Sequence, residues 1–355
     1  MKDTRRGVGL ALIAAALFGA SAPFAKLLLT DTVPQLLAGL LYLGSGVGLG
    51  FVWLRSRRSI TAAHETQLTR RDLPWLAGAI VFGGVFGPLL LMIGLSRIPA
   101  SGASLLLNLE GVFTALLAWF VFRENFDRRI ALGMLAIIAG GGVLSWEGWL
   151  SWGGIGGPIA VAGACLCWAI DNNLTQKVSA GDPVQITMLK GLVAGTVNTI
   201  IAFALGASWP TGPRVLGALV LGFLSYGVSL VLFVFALRHL GTARTAAYFS
   251  TAPFVGALLS LAVFAQRPTT SLLVAAALMA FGVWLHFTER HAHEHRHDAT
   301  EHDHAHIHDE HHQHAHGPND PAPTDPTPHT HRHVHARMVH SHAHYPDIHH
   351  RHAHD

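Results

Sequence analysis

Residues 113–124 read Phe113-Thr114-Ala115-Leu116-Leu117-Ala118-Trp119-Phe120-Val121-Phe122-Arg123-Glu124, the close of one long apolar run. A second run closes in the same way. Ala115-Leu116-Leu117 returns as Ala257-Leu258-Leu259, Val121 as Val263 and Phe122 as Phe264, at an offset of 142 (257 minus 115). A weaker match at an offset of 150 sets Phe18 against Trp168. The chain therefore reads as two related halves.

Working outward from these runs, ten apolar segments emerge: 7–29, 34–54, 73–96, 101–122, 130–146, 158–176, 183–206, 215–237, 244–265 and 270–288. A bilayer core takes about 20 apolar residues per helix. The fifth run is short and depends on Gly140, Gly141 and Gly142. The first has a leader-like Ala20-Ser21-Ala22, but Pro23 blocks cleavage there and the run continues, so it is read as a transmembrane helix. The expected fold is an all-α membrane protein: ten transmembrane helices in two inverted five-helix repeats, followed by a disordered tail. The first repeat takes residues 1–146, a connecting loop 147–157, the second repeat 158–288, and the His-rich tail 289–355.

Composition agrees with that division. Of 355 residues, 50% are apolar and only 13% charged, where an average soluble domain is about one quarter charged. That balance argues against a soluble enzyme and against a chain disordered throughout. The tail, by contrast, carries 23 of the 26 histidines and no long apolar run. A sequence pI of 9.1 is not a nucleic-acid signal here, because the basic residues sit in short clusters between apolar runs. Cys165 and Cys167 lie two apart in one run, about 200° round a helix from each other, and read as small apolar residues rather than a disulfide or metal pair.

Lys and Arg set the expected orientation. With the N-terminus in the cytoplasm, ten crossings return the C-terminus there. Fifteen basic residues, among them Arg55, Arg70, Arg128 and Lys177, then lie at cytoplasmic ends and loops, and three, Arg97, Arg214 and Arg267, on the other side. Trp146, Trp149 and Trp152 bracket the outer connection between the halves. Five crossings per half make the second half enter from the opposite side. Such inverted repeats are a recurring plan for alternating-access carriers, with the substrate site near the midplane between halves.

The two halves, the 113–124 ending with Glu124 just beyond the helix, and the opening Ala16-Leu17-Phe18-Gly19-Ala20 together resemble the EamA family of the drug/metabolite transporter superfamily. The resemblance covers residues 7–288, and Gln266 stands where Glu124 stands in the first half. It implies a carrier for small organic metabolites or drugs, often an exporter, and names no ligand. The tail lies outside it.

Ionisable residues at membrane depth are costly and are functional candidates by default. Lys26 lies about one turn from the outer end of its helix, where it can snorkel. Glu110 stands about 14 Å into its helix at the helical rise, near the midplane. A carboxylate there suits proton carriage or a cationic substrate; the alternative is a packed Glu bonded to helix backbone. Asn108 is near it in sequence but on another face. Asp171 and Lys190 lie on consecutive antiparallel helices, each about 10 Å from the same side, which predicts an ion pair that holds a hairpin, serves as a gate or contacts substrate. Asn172 and Asn173 extend that polar patch. Gly44 with Gly48, Gly83 with Gly87, and Gly191 with Gly195 read as helix-packing pairs, and Pro88 and Pro253 as bends or hinges.

The tail reads as two blocks, His291–His316 and His329–His354, joined by a Pro-rich linker. Alternate histidines such as His291, His293, His295 and His297, then His302, His304, His306 and His308, and in the second block His329, His331, His333 and His335, fall on one side of an extended chain. Neutral imidazoles so placed suit Zn²⁺, Ni²⁺, Co²⁺ or Cu²⁺, with Asp303, Asp309 and Glu310 as added oxygen ligands.

The leading expectation is a secondary transporter, an exporter, in the cytoplasmic membrane. Its partners are a small-molecule substrate, the lipid bilayer and divalent metal ions at the tail; no nucleic acid and no required cofactor are expected. The alternative is efflux of a divalent transition metal or of a metal chelate, with the tail as buffer or sensor. No nucleophile–base arrangement or phosphate-cradling loop suggests an enzyme.

Overall fold

A computed structural model describes residues 2–56, 72–122, 128–149, 155–176, 178, 182–240, 245, 248–287, 292–297, 300–306, 329–335 and 338–343. The chain divides into two units, residues 1–62 with 68–289, and residues 63–67 with 290–355.

In the first unit the described regular structure is helical, and each apolar run holds a helical segment. Run one forms α1 (Lys2–Gly19) and α2 (Ser21–Leu28); run two forms α3 (Pro34–Ser56). Run three forms α4 (Leu73–Ala79) and α5 (Gly87–Arg97), joined by a π-helical stretch, Ile80–Phe86. Then come α6 (Ala100–Leu106), α7 (Leu109–Phe122), α8 (Arg128–Trp149), α9 (Gly156–Gln176) and α10 (Pro183–Ala204). Run eight forms α11 (Gly212–Gly222) and α12 (Ser229–Leu240), again joined by a π-helical stretch, Phe223–Val228. The last helices are α13 (Ala252–Val263) and α14 (Thr270–Phe287). Among the described residues, six stretches are long and apolar enough to cross a membrane: Arg6–Leu28, Pro34–Arg55, Leu73–Arg97, Ala100–Leu117, Pro183–Ala204 and Gly212–Ala236. Ala131–Trp146, Ala252–Val263 and Thr270–Leu285 are shorter apolar helices.

Local chemistry sets several ends. Asp182 accepts a bond from Val184 N at 2.8 Å, and Pro183 follows at the first turn, where its missing N–H costs nothing. The chain leaves α10 through Gly206, whose φ of +84° suits glycine.

The burial pattern is that of a protein in lipid. Small residues, Ala11, Ala14, Ala15, Ala22 and Ala25, are buried, while Phe51, Leu135, Ile200, Leu258 and Leu273 are exposed. Apolar side chains on this scale facing outward need an apolar surrounding. Small residues inside let helices approach. A Cβ at Gly191 would stand 2.6 Å from Gly46 N, and one at Gly195 2.5 Å from Leu43 N, so α10 lies directly on the backbone of α3. Gly44, Gly48, Gly83 and Gly87 are likewise in close approach, to Leu219, Phe223, Asp171 and Trp168.

The most extensive helix contacts are α3 with α10, α8 with α14, α5 with α9, and α1 with α12. Each joins a helix before residue 150 to one after it. The two halves thus share one core, in which Leu36, Leu37, Leu41, Leu91, Met92, Leu95, Ile137 and Met279 are fully buried.

In the second unit, where the sequence predicts no regular structure, four short strands are formed: β1 (Ala292–His297), β2 (Thr300–His306), β3 (His329–His335) and β4 (Met338–Ala343). β1 pairs antiparallel with β4, and β2 with β3. Alternation of histidine with other residues has the period of a strand, and pairing the two blocks satisfies backbone groups that a lone strand would leave open. His291 and His308, with Asp309 and Glu310, lie outside the described residues, as do Glu124 and Lys177.

Candidate functional site

Helical continuity fails at matching places in the two halves, and the polar residues gather beside those places. The π-helical stretches begin at Ile80 and Phe223. The half-helices α7 and α13 begin at Leu109 and Ala252. Both pairs are 143 residues apart (223 minus 80, 252 minus 109), one more than the sequence offset of the repeat. Pro253 sits in the first turn of α13, where proline is tolerated, and Pro88 directly follows the π-helical stretch inside the continuous helical segment Leu73–Arg97.

Between α6 and α7 the backbone tightens. Leu107 N bonds Ser104 O at 3.2 Å, Asn108 N bonds Leu105 O at 3.1 Å and Glu110 N bonds Leu107 O at 3.1 Å, all three residues back. Asn108 stabilises the break, its Nδ2 donating to Leu105 O at 2.9 Å, and is buried there. Cys165 Sγ lies 3.6 Å from Leu106 O and 3.9 Å from Leu107 O, against carbonyls that the break releases. Glu110 is therefore the second residue of a half-helix, α7. Its carboxylate faces the positive end of the helix dipole. Asn172 Nδ2, from α9 in the other half, donates to Glu110 Oε1 at 2.8 Å. Glu110 is half-buried and Asn172 exposed, so this pair is open on one side.

One residue before Asn172, Asp171 forms the second polar pair. Lys190 Nζ on α10 stands 2.6 Å from Asp171 Oδ1 and 2.7 Å from Oδ2. Thr175 Oγ1 donates to Asp171 Oδ1 at 2.8 Å, and Lys190 Nζ donates to Thr175 Oγ1 at 3.3 Å. The two charged side chains are 12% and 9% exposed, so each neutralises the other largely out of solvent. Asn173 instead bonds Ala169 O on its own helix.

The π-helical stretch of the first half meets this cluster. Gly83 O accepts from Tyr42 Oη at 2.8 Å and from Trp168 Nε1 at 3.0 Å, while Gly84 O accepts from Asn198 Nδ2 at 3.1 Å. Any side chain at Gly83 would collide with the Asp171 carboxylate. A π-helical turn frees carbonyls for partners outside the helix, and such turns are frequent at functional sites. Aromatic rings close the group. Phe18 touches Trp168, Tyr226 and Phe249, with centroids 6.5, 5.9 and 5.4 Å away, and Tyr42 touches Tyr226 at 5.5 Å.

Of the residues singled out from sequence, the structure brings together Glu110 with Asn172, and Asp171 with Lys190, on adjacent positions of one helix. Lys26 is held elsewhere: its ammonium donates to Leu95 O, and to Ile98 O at 3.1 Å, at the C-terminal end of α5. A cation there complements the helix end. The sequence reading marks Trp168 only as a repeat position, and does not mark Tyr42, Asn198 or Thr175. For Tyr42, Trp168 and Asn198 the signal is the Gly83-Gly84 pair, a weak point in an apolar helix that attracts side-chain donors.

An EamA-like transporter family model matches residues 5–146 and again 155–288. The chain belongs to the EamA-like transporter family. It is similar to an uncharacterized transporter of Methanothermobacter thermautotrophicus, 28% identical over 76% of this chain and 82% of that one. It also resembles the uncharacterized transporter YyaM of Bacillus subtilis, 24% identical over 56% of this chain and 68% of that one. A probable 4-amino-4-deoxy-L-arabinose-phosphoundecaprenol flippase subunit ArnE of Pseudomonas aeruginosa is 37% identical over 30% of this chain and 89% of its own length. A protein of known crystal structure matches the fold with a TM-score of 0.58 at 18% identity, covering 79% of this chain and 96% of that one. This EamA-like chain is thus a multi-pass membrane protein of a transporter family with a two-repeat helical fold.

Proposed function

We propose that the protein is a secondary transporter that exports small organic metabolites or drugs across the cytoplasmic membrane by alternating access. Ten crossings in two inverted halves, with both termini cytoplasmic, fit the fifteen-to-three distribution of Lys and Arg. The observation that carries the reading is the Glu110–Asn172 pair. It joins the two halves, sits at the start of a half-helix and is open on one side. Interrupted helices at the junction of repeats are where carriers bind cargo, and rocking of one half against the other exposes such a site to each side in turn. Asp171 and Lys190, tied to each other and next in sequence to Asn172, serve as the hinge or gate.

The test is transport in proteoliposomes holding the purified chain, run against a panel of organic solutes with and without a proton gradient. Solute movement that Glu110→Gln abolishes or uncouples from pH, at equal protein level, supports the reading. Unchanged rates and pH profile in the variant return Glu110 to a packing role.

A second reading is export of a divalent metal chelate. Among the described residues, no group of three or more His, Cys, Asp or Glu comes together. That disfavours a bare ion and leaves a chelate, with the tail as buffer. The same assay with and without Zn²⁺ distinguishes the two.

A further inference from the structure

Two polar groups at the junction of the halves lack the partner that their chemistry calls for. The first is the carboxylate of Glu110. Asp171 is balanced by Lys190, and Lys26 is held by the carbonyls of Leu95 and Ile98. Asn172 gives Glu110 a neutral amide N–H and no charge. Among the described residues, Glu110 forms no ion pair. The first turn of α7 offers only about half a positive charge. A carboxylate at membrane depth is costly unless a cation meets it.

The second is the hydroxyl of Tyr226, in the π-helical stretch of the second half. Tyr226 is 8% exposed, and among the described residues its Oη meets no hydrogen-bond partner. Ser21 stands beside it, outside hydrogen-bond geometry. The other polar rings of the cluster are satisfied, since Tyr42 Oη and Trp168 Nε1 both donate to Gly83 O. A buried hydroxyl without a partner is destabilising and calls for a reason.

A chain of rings connects the two groups. Trp168 precedes Asn172 by four residues on α9, so the two share a face about 6 Å apart along the helix. Phe18 touches Trp168 on one side and Tyr226 on the other. Phe18 comes from the first half, Trp168 and Tyr226 from the second, so the chain crosses the junction that rocking would open.

We infer that the cargo is an organic ammonium with a flat apolar body and a hydrogen-bonding group at its far end. Its ammonium pairs with Glu110, its body lies along Trp168 and Phe18, and its far polar atom meets Tyr226 Oη. The inference rests on the reading of the Glu110–Asn172 pair as the cargo site. An ammonium donates to the carboxylate as Asn172 Nδ2 does, and adds the charge that the amide lacks. Aromatic faces attract cations and stack on flat bodies. An anionic solute would meet an unbalanced carboxylate and be rejected.

The test measures binding of radiolabelled tyramine to the purified full chain in detergent micelles at pH 7.5. Competitors are phenethylamine, which lacks the ring hydroxyl, and 4-hydroxyphenylpropionate, which carries a carboxylate in place of the ammonium. The same solutes join the proteoliposome panel. Tyramine should bind about five-fold more tightly than phenethylamine, the worth of one hydrogen bond, and the carboxylate should not compete. Glu110→Gln should weaken tyramine binding by about ten-fold or more. Tyr226→Phe should bring the ratio of the two amine affinities close to one. The ligand-free variant should melt no lower than wild type, because its hydroxyl has no bond to lose. The inference is overturned if tyramine does not bind, if the carboxylate competes as well as phenethylamine, or if Tyr226→Phe keeps the preference. A lowered melting temperature in Tyr226→Phe also overturns it, by giving the hydroxyl a structural bond. Glu110-dependent movement of other solutes without tyramine binding overturns the ammonium class and leaves the transport reading standing. Tyramine binding with the expected variant effects, but no movement of any solute, upholds the ammonium site and overturns the transport reading.

Discussion

Phe18 and Trp168 pack edge to face, with ring centroids 6.5 Å apart and planes at 69°. They are also the two residues that correspond to one another in the first helix of each half, at the offset of 150 (168 minus 18). The contact therefore joins corresponding positions of the two halves. Trp168 also donates to the Gly83 carbonyl, and Asn172, one turn further along the same helix, donates to Glu110. The helix α9 thus carries both an aromatic and a polar contact from the second half to the first.

The shared carbonyl of Gly83 gives a non-additive prediction. Tyr42→Phe and Trp168→Phe each remove one donor while the other still satisfies the oxygen. Each single change should cost about 1 kcal/mol of thermal stability in detergent, the net value of an ordinary hydrogen bond. The double change leaves a carbonyl at the π-helical turn without either donor, so its cost should exceed the sum of the two. Strict additivity in melting measurements would mean that the two bonds are independent of the oxygen they share.

Asp171 and Lys190 should behave as one unit. Removing one partner of a buried pair leaves a lone charge and can cost about 3–5 kcal/mol. Asp171→Asn or Lys190→Met should lower folded yield sharply, and the combination should recover part of it, because no unpaired charge then remains. Thr175, bonded to both, tempers the recovery. Simple addition of the two losses, read by fluorescence size-exclusion chromatography, would show that the charges do not act as a pair.

Helix existence was legible in the apolar runs because length in lipid leaves little freedom: about twenty apolar residues have one stable conformation. The pairing of Asp171 with Lys190 was legible too, since depth on consecutive helices is simple arithmetic. The partner of Glu110 was not. Depth was counted along an unbroken helix, whereas the chain breaks at Leu107 and Asn108 and places Glu110 on a new first turn. The break depends on three-residue backbone bonds and on one side chain, Asn108, that composition alone does not distinguish from a polar residue inside a helix. The tail shows the same limit. Alternation was visible, but which block opposes which is a matter of register across a Pro-rich linker.

Glycines of equal appearance in sequence should respond oppositely to alanine. At Gly191 a Cβ would stand 2.6 Å from the backbone nitrogen of Gly46, so Gly191→Ala must push α10 away from α3 and should lower melting temperature and yield. Gly142 in α8 has nothing within 4 Å of the added carbon. There alanine should be neutral or stabilise by about 0.5–1 kcal/mol through reduced chain entropy. Equal responses at the two sites would remove close approach as the reason for glycine at 191.

The final prediction is the orientation that the proposed mechanism requires. If the halves are inverted, loops must alternate in side and in charge. Residues 30–33 and 207–214 then face the same, outer side. An ion pair between Arg214 and Asp31 links these two connections, as it must if they lie together. The clusters at 55–58, 70–71 and 128–129 face the other side, where basic residues are retained. Single cysteines at Ser151, in the connection between halves, and at Ser59, in a background where Cys165 and Cys167 are replaced by alanine, should therefore label differently. Ser151→Cys should react with an impermeant maleimide added to whole cells, and Ser59→Cys only after the membrane is opened. A fluorescent reporter that matures only in the cytoplasm, fused after Asp355, should be bright. Labelling of both cysteines from outside, or a dark reporter beside a well-inserted protein, would break the alternation. Because an odd number of crossings per half is what inverts the second half, that result would remove the inverted repeat and the rocking mechanism together, while leaving the Glu110–Asn172 contact to be explained as packing.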